Sequence, residues 1–262
     1  MKSDTPLKKA IVVAIYHRKG GVGKTTASLC IAFGLARKGK KILVIDSDSS
    51  ANTSESACSV EITKTIKDLF LGTPIEEVIY PSVEKNVDII PSCFALSVIE
   101  PMLVSELSRE SILRDALEPI KSKYDVIIID TKPGVETIPT NALCAADEVI
   151  IPIFGAFAMD IMDQIFNFLN MIKAKKLNPN LMIRGILITK YDPRTNISKN
   201  IKQSLVNQFG TYVFETTIPV CVKLEECTMY KQSIYEYEPG STGAIAYMEA
   251  TEELMKRWGW DR

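Results

Sequence analysis

The sequence lacks the features that would tie a protein of 262 residues to a membrane, or to nucleic acid through its overall charge. Its formal net charge is −1, so any contact with DNA must come from a local patch of cations. The longest apolar stretch beyond the N-terminal region, residues 149–159, is shorter than the roughly 18–20 residues of a membrane-spanning helix. The apolar run at 10–16 is at the lower limit for a signal peptide, and charged residues follow it where a small-residue cleavage site would stand. We therefore predict neither a membrane segment nor a secretion signal.

Cysteine occurs without the spacing typical of a disulfide framework or an iron–sulfur cluster. There is no C-x-x-C pair, and several of the cysteines lie in apolar segments; the six are Cys30, Cys58, Cys93, Cys144, Cys221 and Cys227. This usage predicts reduced thiols in a cytosolic protein. The sequence has a single histidine, His17, which we predict to be a polar group at the end of a strand.

A glycine-rich loop is the most informative feature that the sequence does have. Residues 19–26 read K-G-G-V-G-K-T-T, close to the P-loop pattern of a glycine, four residues and then Gly-Lys-Ser/Thr. Arg18 stands where that pattern has its first glycine, and Lys19 adds a cation within the loop. An apolar run precedes the loop and a helical pattern follows it, an arrangement that directs backbone N–H groups at an anion. We predict that Lys24 contacts the β- and γ-phosphates of a nucleotide and that the Thr25 hydroxyl binds Mg²⁺.

Apolar runs alternate with helical patterns along the chain, which is typical of an α/β fold with a parallel sheet covered on both faces. The predicted strands are 10–16, 41–46, 87–90, 124–130, 148–153, 182–189 and 212–217. The predicted helices are 25–38, 62–71, 109–122, 158–176, 195–209 and 243–258. We predict an α/β, single-domain, P-loop NTPase-like fold over residues 1–262, with a mostly parallel twisted sheet. Residues 1–7 are expected to form a disordered arm, and no helix-turn-helix extension is expected.

Three acidic residues fall at the carboxyl ends of predicted strands, where ligands bind in such folds. Asp46 and Asp48 end or follow the second strand, and Asp130 ends the fourth. Because Mg²⁺–ATP needs a carboxylate opposite Thr25, we predict that Asp130 orients Mg²⁺ through water.

These residues together resemble the ParA/MinD family of deviant-P-loop ATPases, and in particular its ParA branch of DNA-partition ATPases. The segment at 19–26 resembles the family signature, and five further segments resemble the branch in the same order: 124–134, 141–153, 189–196, 218–226 and 236–244. The resemblance covers nearly the whole chain.

The resemblance implies an ATPase whose cofactors are ATP and Mg²⁺. The nucleotide would be held by Lys19, Gly20, Gly21, Val22, Gly23, Lys24, Thr25, Thr26 and Pro219. Lys19 would reach the partner's phosphates in an ATP-bound homodimer, and Asp48 would position the attacking water. Arg194 and Lys223 would contact DNA without sequence preference. The implied partners are DNA and a centromere-binding protein of the ParB type, and the implied location is cytoplasmic, on the nucleoid, with no membrane contact.

The sequence also departs from the family pattern near the predicted site. Residues 46–52 read D-S-D-S-S-A-N where the family usually has D-x-D-P-Q-G-N. Lys132 replaces the first of two prolines after Asp130, and Val220 replaces an arginine that would have contacted DNA. These departures suggest a divergent member of the ParA branch without removing the nucleotide site.

Other functions compatible with the motif are a MinD-like ATPase that positions a cargo or acts on a membrane, an ATP-dependent ligase, and an iron–sulfur carrier. This sequence lacks the paired cysteines that an iron–sulfur carrier needs. It also has Lys19, which the ligases generally lack. The C-terminal helical pattern at 243–258 carries Glu249, Glu252 and Glu253, so we expect it to pack on the domain and not to bind a membrane.

Overall fold

A single sheet runs through the computed structural model, which describes residues 9–156 and 158–260. Its seven strands lie in the order β3-β4-β2-β5-β1-β6-β7. All neighbouring strands are parallel except the short β3, which pairs with β4 in the antiparallel direction. The strands are β1 Ile11–Ile15, β2 Ile42–Ser47, β3 Tyr80–Pro81, β4 Val87–Ile90, β5 Val126–Thr131, β6 Glu148–Ile153 and β7 Met182–Ile188. The expected arm at 1–7 lies outside the described residues.

Helices cover both faces of the sheet, as predicted. They are α1 Lys24–Arg37, α2 Asn52–Ala57, α3 Ile66–Phe70, α4 Ala95–Leu103, α5 Ile112–Leu117, α6 Thr137–Ala145, α7 Ala158–Ala174, α8 Asn196–Phe209, α9 Lys223–Met229, α10 Ile234–Tyr237 and α11 Thr242–Arg257. Successive residues of β1 alternate between two apolar cores: Val12 lies in the core beneath α5–α7, and Val13 lies in the core beneath α1 and α11. This alternation follows from the pleat of a strand that is buried on both sides.

Three predicted elements differ from the observed ones. Residues 212–217 do not form a strand: Val213 makes a single bridge to β7, and the amides of Glu215 and Thr216 then donate to the Glu253 carboxylate of α11, at 3.0 Å each. The helix predicted at 62–71 begins at Ile66, because Thr65 and Asp68 form a capping box there. The helix predicted at 109–122 is α5 followed by a 3₁₀ helix at Glu118–Lys123.

The C-terminal helix α11 packs on α1, in agreement with the prediction from its acidic composition. Tyr247, Ala250 and Leu254 of α11 are buried in the core that α1 shares. The two helices approach closely at Gly34, where an added Cβ would lie 2.6 Å from the Thr251 hydroxyl. No helix within residues 9–156 and 158–260 is long and apolar enough to cross a bilayer. All six cysteines are free thiols.

The register of the central strands brings the predicted acidic residues together. Asp46 of β2 lies directly opposite Asp130 of β5, and Ile15 at the end of β1 lies opposite Asp130 on its other side. The glycine-rich loop leaves β1 at the same edge. The sheet therefore places two carboxylates beside the predicted phosphate loop.

Candidate nucleotide site

The glycine-rich loop joins β1 to the first turn of α1. Gly23 has φ +86°, a left-handed conformation that a residue with a side chain rarely adopts, and its carbonyl accepts the amide of Ala27 as α1 begins. The helix therefore starts directly at the loop, and its first N–H groups lie at the carboxyl edge of the sheet. A helix N-terminus in this position favours a bound anion.

Lys24 is a buried cation at the end of the loop, where α1 begins. Its side chain donates to the Lys19 carbonyl at 3.2 Å, and the residue is only 6% exposed. Burial lowers the pKa of Lys24, while Asp130 and Asp48 act in the opposite direction and favour its charge. The loop thus holds a positive charge close to two acidic residues, an arrangement suited to phosphates bridged by a metal ion.

His17 shapes the backbone of the loop next to Lys19. Its Nδ1 accepts the backbone amide of Lys19 at 3.0 Å, while its Nε2 is buried and has no hydrogen-bond partner within the described ranges. Burial lowers the pKa of His17 to about 4, so the ring is neutral near pH 7. The sequence predicted a polar group at the strand end; the structure adds that this group supports the backbone of Lys19, whose own side chain is exposed.

Asp130 accepts hydrogen bonds from three hydroxyl groups. Thr25 donates to Oδ2 at 2.8 Å, Thr53 donates to the same oxygen at 2.6 Å, and Ser28 donates to Oδ1 at 3.0 Å. Burial raises the pKa of the Asp130 carboxyl, and these hydroxyl bonds oppose the shift. The pairing of Thr25 with Asp130 is the arrangement that the motif predicts for a Mg²⁺ site, and an oxygen-only donor set suits that ion.

Asp46 is a second buried carboxylate at this edge. Its Oδ2 accepts both the amide and the hydroxyl of Ser54, at 2.9 and 2.6 Å, and its Oδ1 accepts the amide of Asp48 at 3.1 Å. Burial, with Asp130 nearby, raises the pKa of Asp46 to about 7. Sequence reasoning missed Thr53 and Ser54, which lie in α2 beyond the loop after β2, and no spacing pattern in the sequence marks them.

The loop after β2 carries the predicted catalytic Asp48. Its carboxylate is half-buried and accepts the amide of Ser50 at 2.9 Å. Ala51 lies in the left-handed region with φ +56°, at the position where the family pattern has glycine. The altered loop therefore keeps a conformation that glycine adopts freely, with an alanine in it.

An open pocket lies beside the phosphate loop. Gly23 and Thr26 form its loop side, and Pro219 and Tyr247 lie among the residues of its other walls. Its mainly apolar lining suits a flat base. Pro219 is thus placed next to the loop residues with which the family resemblance groups it.

The two predicted DNA-contacting cations lie outside this site. Arg194 has a side chain that is 87% exposed and that donates to both carboxylate oxygens of Asp192, at 2.9 Å each. Hydrogen bonds from Arg194 lower the pKa of Asp192 to about 2. Lys223 pairs with Glu226 at 2.7 Å. Each cation therefore already has a neighbouring carboxylate.

Lys132, a departure from the family pattern, is also paired. It forms an ion pair with Glu100 of α4, and the other oxygen of Glu100 accepts the amide of Ile138 at 2.9 Å. Lys132 therefore links the loop between β5 and α6 to α4, and it does not extend the positive charge of the phosphate loop.

A phosphate loop with buried Lys24, set on a parallel sheet beside Asp46 and Asp130, defines a P-loop nucleoside triphosphatase. A family model described as an AAA domain matches residues 10–183. The chain is 35% identical over 250 residues to the chromosome partitioning protein ParA of Myxococcus xanthus, an alignment that covers 94% of this chain and 88% of that protein.

Two solved structures with bound nucleotide also resemble this chain over nearly its whole length. A cobyrinic acid a,c-diamide synthase of Mycobacterium smegmatis, with bound ATP analogue and magnesium, is 26% identical with a TM-score of 0.83 and covers 97% of each chain. The septum site-determining protein MinD of Pyrococcus horikoshii, complexed with Mg-ADP, is 25% identical with a TM-score of 0.78 and covers 95% of this chain and 98% of its own. The chain belongs to the ParA/MinD family of ATPases, which confirms the resemblance and the fold class.

Proposed function

We propose that this protein is an ATP-driven switch for DNA partition. It binds Mg²⁺–ATP, forms a homodimer, binds DNA without sequence preference, and with a ParB-type partner drives segregation of a plasmid or chromosome. The observation that carries the nucleotide step is the convergence of Lys24, Thr25 and Asp130 at one edge of the sheet. The partition step is supported by the identity to a chromosome partitioning protein over most of the chain.

Different residues of the site bind different parts of Mg²⁺–ATP in this proposal. The backbone N–H groups of residues 20–26 surround the phosphates, and Lys24 neutralises their charge. Thr25 and Asp130 would hold Mg²⁺, which when bound neutralises charge on the β- and γ-phosphates. Pro219 lines the pocket for the base.

Asp48 and Lys19 act on hydrolysis in this proposal. The Asp48 carboxylate lies in the loop after β2 and orients the attacking water, or accepts its proton. Lys19 contacts the phosphates bound by the second protomer, where a cation stabilises the charge that develops on the leaving group. ATP hydrolysis then dissociates the dimer, and the DNA is released.

DNA binding is proposed to require the dimer, because the 31 lysines and arginines of a single protomer are offset by 32 acidic residues and leave a net charge of −1. Dimerisation brings two copies of Arg194 and Lys223 to one surface. Phosphates would then displace Asp192 and Glu226 from these side chains. That exchange is feasible because exposed ion pairs contribute little to stability and are screened by salt.

The test is filter binding of duplex DNA over a salt series, with and without Mg²⁺–ATP. We expect binding to any sequence with nucleotide and weak binding without it. Arg194→Ala should lower the log–log salt slope of the dimer by about 1.8, since each lost phosphate contact lowers it by about 0.9. Arg114→Ala is the matched control, because Arg114 also pairs with a neighbouring aspartate, Asp115, but lies on α5. An ATP-bound dimer that ignores DNA would contradict the proposal.

The similarity to MinD supports a second candidate, a positioning ATPase that acts on another cargo or on a membrane. Against the membrane variant, α11 carries Glu252 paired with Lys38, and Glu253 paired with Arg257. Sedimentation with anionic liposomes distinguishes the two. ATP-dependent sedimentation without DNA binding would favour this candidate.

A further inference from the structure

The first turn of α2 is bound to both buried carboxylates of the site. Thr53 donates its hydroxyl to Asp130, at the end of β5, and Ser54 donates its amide and hydroxyl to Asp46, at the end of β2. Thr53 is fully buried, so its hydroxyl cannot exchange this bond for one to water. These two neighbouring residues therefore anchor the same turn to two strands.

The Thr53 hydroxyl shares one oxygen of Asp130 with the predicted magnesium ligand. Thr25 and Thr53 both donate to Oδ2, at 2.8 and 2.6 Å, while Oδ1 accepts the hydroxyl of Ser28. A carboxylate oxygen has two lone pairs, so these two donors occupy both of them. The first turn of α2 is therefore linked to Thr25 through a single oxygen atom of Asp130.

The loop that carries Asp48 is fixed at both of its ends by these carboxylates. At its start, the amide of Asp48 donates to Asp46, and five residues later Thr53 donates to Asp130. Between them, Ala51 has φ +56°, a left-handed conformation that is strained for a residue with a side chain. A strained residue persists only where the surrounding contacts determine the backbone, and here the anchors at both ends supply those contacts.

We propose that Thr53 is a positioning residue that couples the carboxylate of the magnesium site to the loop bearing Asp48. Its hydroxyl holds the first turn of α2 on Asp130 and so keeps the Asp48 loop in place for hydrolysis. The proposal deepens the ATPase function and rests on the placement of Mg²⁺ at Thr25 and Asp130. Thr53 itself does not touch the reacting atoms.

The test compares Thr53→Val, which keeps the size of the side chain and removes the hydroxyl, with Thr53→Ser, which keeps the hydroxyl. For each variant we would measure ATP turnover, ATP affinity by calorimetry, and the Mg²⁺ concentration for half-maximal nucleotide binding. Thr53→Val should lower turnover about tenfold, the effect of losing one hydrogen bond of about 1–1.5 kcal/mol. Its ATP affinity should change less than about twofold, and Thr53→Ser should stay close to the wild type in turnover.

The magnesium requirement separates positioning from general damage. Thr53 is not a predicted magnesium ligand, and Asp130 keeps its other two hydroxyl donors, so the half-maximal Mg²⁺ concentration of Thr53→Val should change less than about twofold. A merely destabilised site would need more Mg²⁺ and would also lose ATP affinity. Slower turnover without a higher Mg²⁺ requirement therefore supports the proposal.

Several results would overturn it. Wild-type turnover in Thr53→Val would show that the hydroxyl has no role, and an equal loss in Thr53→Ser would assign the effect to packing. Thr251→Val in α11 is the matched control, since it removes an equally buried threonine hydroxyl far along the chain, and it should leave turnover unchanged. A turnover loss as large in this control would also overturn the proposal. Thr25→Val tests the magnesium site separately: if it leaves the Mg²⁺ requirement unchanged, the placement of the metal fails whatever Thr53 does.

Discussion

The nucleotide end of the protein carries the phosphate loop and the carboxylates at the strand ends. It differs from the candidate DNA-binding face in how its charged side chains are paired. At the nucleotide end, Lys24, Asp46 and Asp130 are buried and bonded to groups from several elements. On the candidate DNA-binding face, Arg194 and Lys223 each pair with a carboxylate only two or three residues away. Strand register fixes the first arrangement, whereas side-chain rotation can undo the second. Substitutions at the nucleotide end should therefore have large effects, and those on the candidate DNA-binding face should have smaller effects that depend on salt.

Lys24→Ala should produce the largest effect and is the strongest test of the buried end. The phosphates lose their principal cation, and the neighbouring carboxylates lose the charge that offsets them. ATP affinity should fall at least about thirtyfold, since truncating one partner of a buried charge pair costs roughly 2–5 kcal/mol. Titration calorimetry with Mg²⁺–ATP measures the loss, with Lys64→Ala as the control because Lys64 is an exposed lysine paired with Glu77. Unchanged affinity would reject the phosphate-loop assignment.

Asp48→Ala should separate binding from hydrolysis at the same end of the molecule. The carboxylate lies in the loop after β2 and not on the phosphate loop, so ATP binding and dimer formation should persist. Turnover should fall about 10²-fold if Asp48 positions or deprotonates water. Steady-state hydrolysis beside calorimetric affinity gives both quantities. If turnover stays at the wild-type rate, Asp46 becomes the first candidate for this role.

Lys19→Ala should have a smaller effect that appears only when two protomers meet. Lys19 is exposed, unlike Lys24, so the monomer should still bind nucleotide. Dimer formation should weaken about tenfold or more, because a hydrogen bond to a charged group contributes roughly 1.5–3 kcal/mol. Light scattering with a non-hydrolysable ATP analogue reports the dimer. Normal dimers with normal turnover would make Lys19 a residue of the local loop only.

The nucleotide end was the more predictable of the two regions, for a physical reason. The motif at 19–26 has fixed spacing because backbone amides must surround a phosphate, and buried parallel strands appear as continuous apolar runs. The pairing of Asp130 with Thr25 follows from these two constraints. The sequence also predicted the layers of the fold. The strand predicted at 212–217 was wrong, because the Glu253 carboxylate accepts amides of that segment instead.

Side-chain partners chosen by tertiary packing could not be predicted in this way. Lys132 was noticed as a cation near the site, but its pairing with Glu100 depends on how α4 packs. Thr53 lies 77 positions before Asp130, and no spacing rule connects them. The pairs at Arg194 and Lys223 are close in sequence, but a pattern of charges does not show which rotamers bring them together.

Ala51→Gly gives the smallest expected effect and tests the strain at the junction between the phosphate site and the altered loop. Ala51 has φ +56°, which glycine adopts without a steric penalty of roughly 1–2 kcal/mol. Part of that gain is lost because glycine makes the unfolded chain more flexible, by about 0.4–1 kcal/mol. We therefore expect unfolding without nucleotide to become harder by about 0.5–1 kcal/mol, or roughly 2 °C in Tm. Ala116→Gly, in α5, is the control and should instead lower Tm, since glycine costs about 1 kcal/mol within a helix. If both variants lower Tm alike, Ala51 stores no strain, and the anchoring of its loop by Asp46 and Asp130 loses that support.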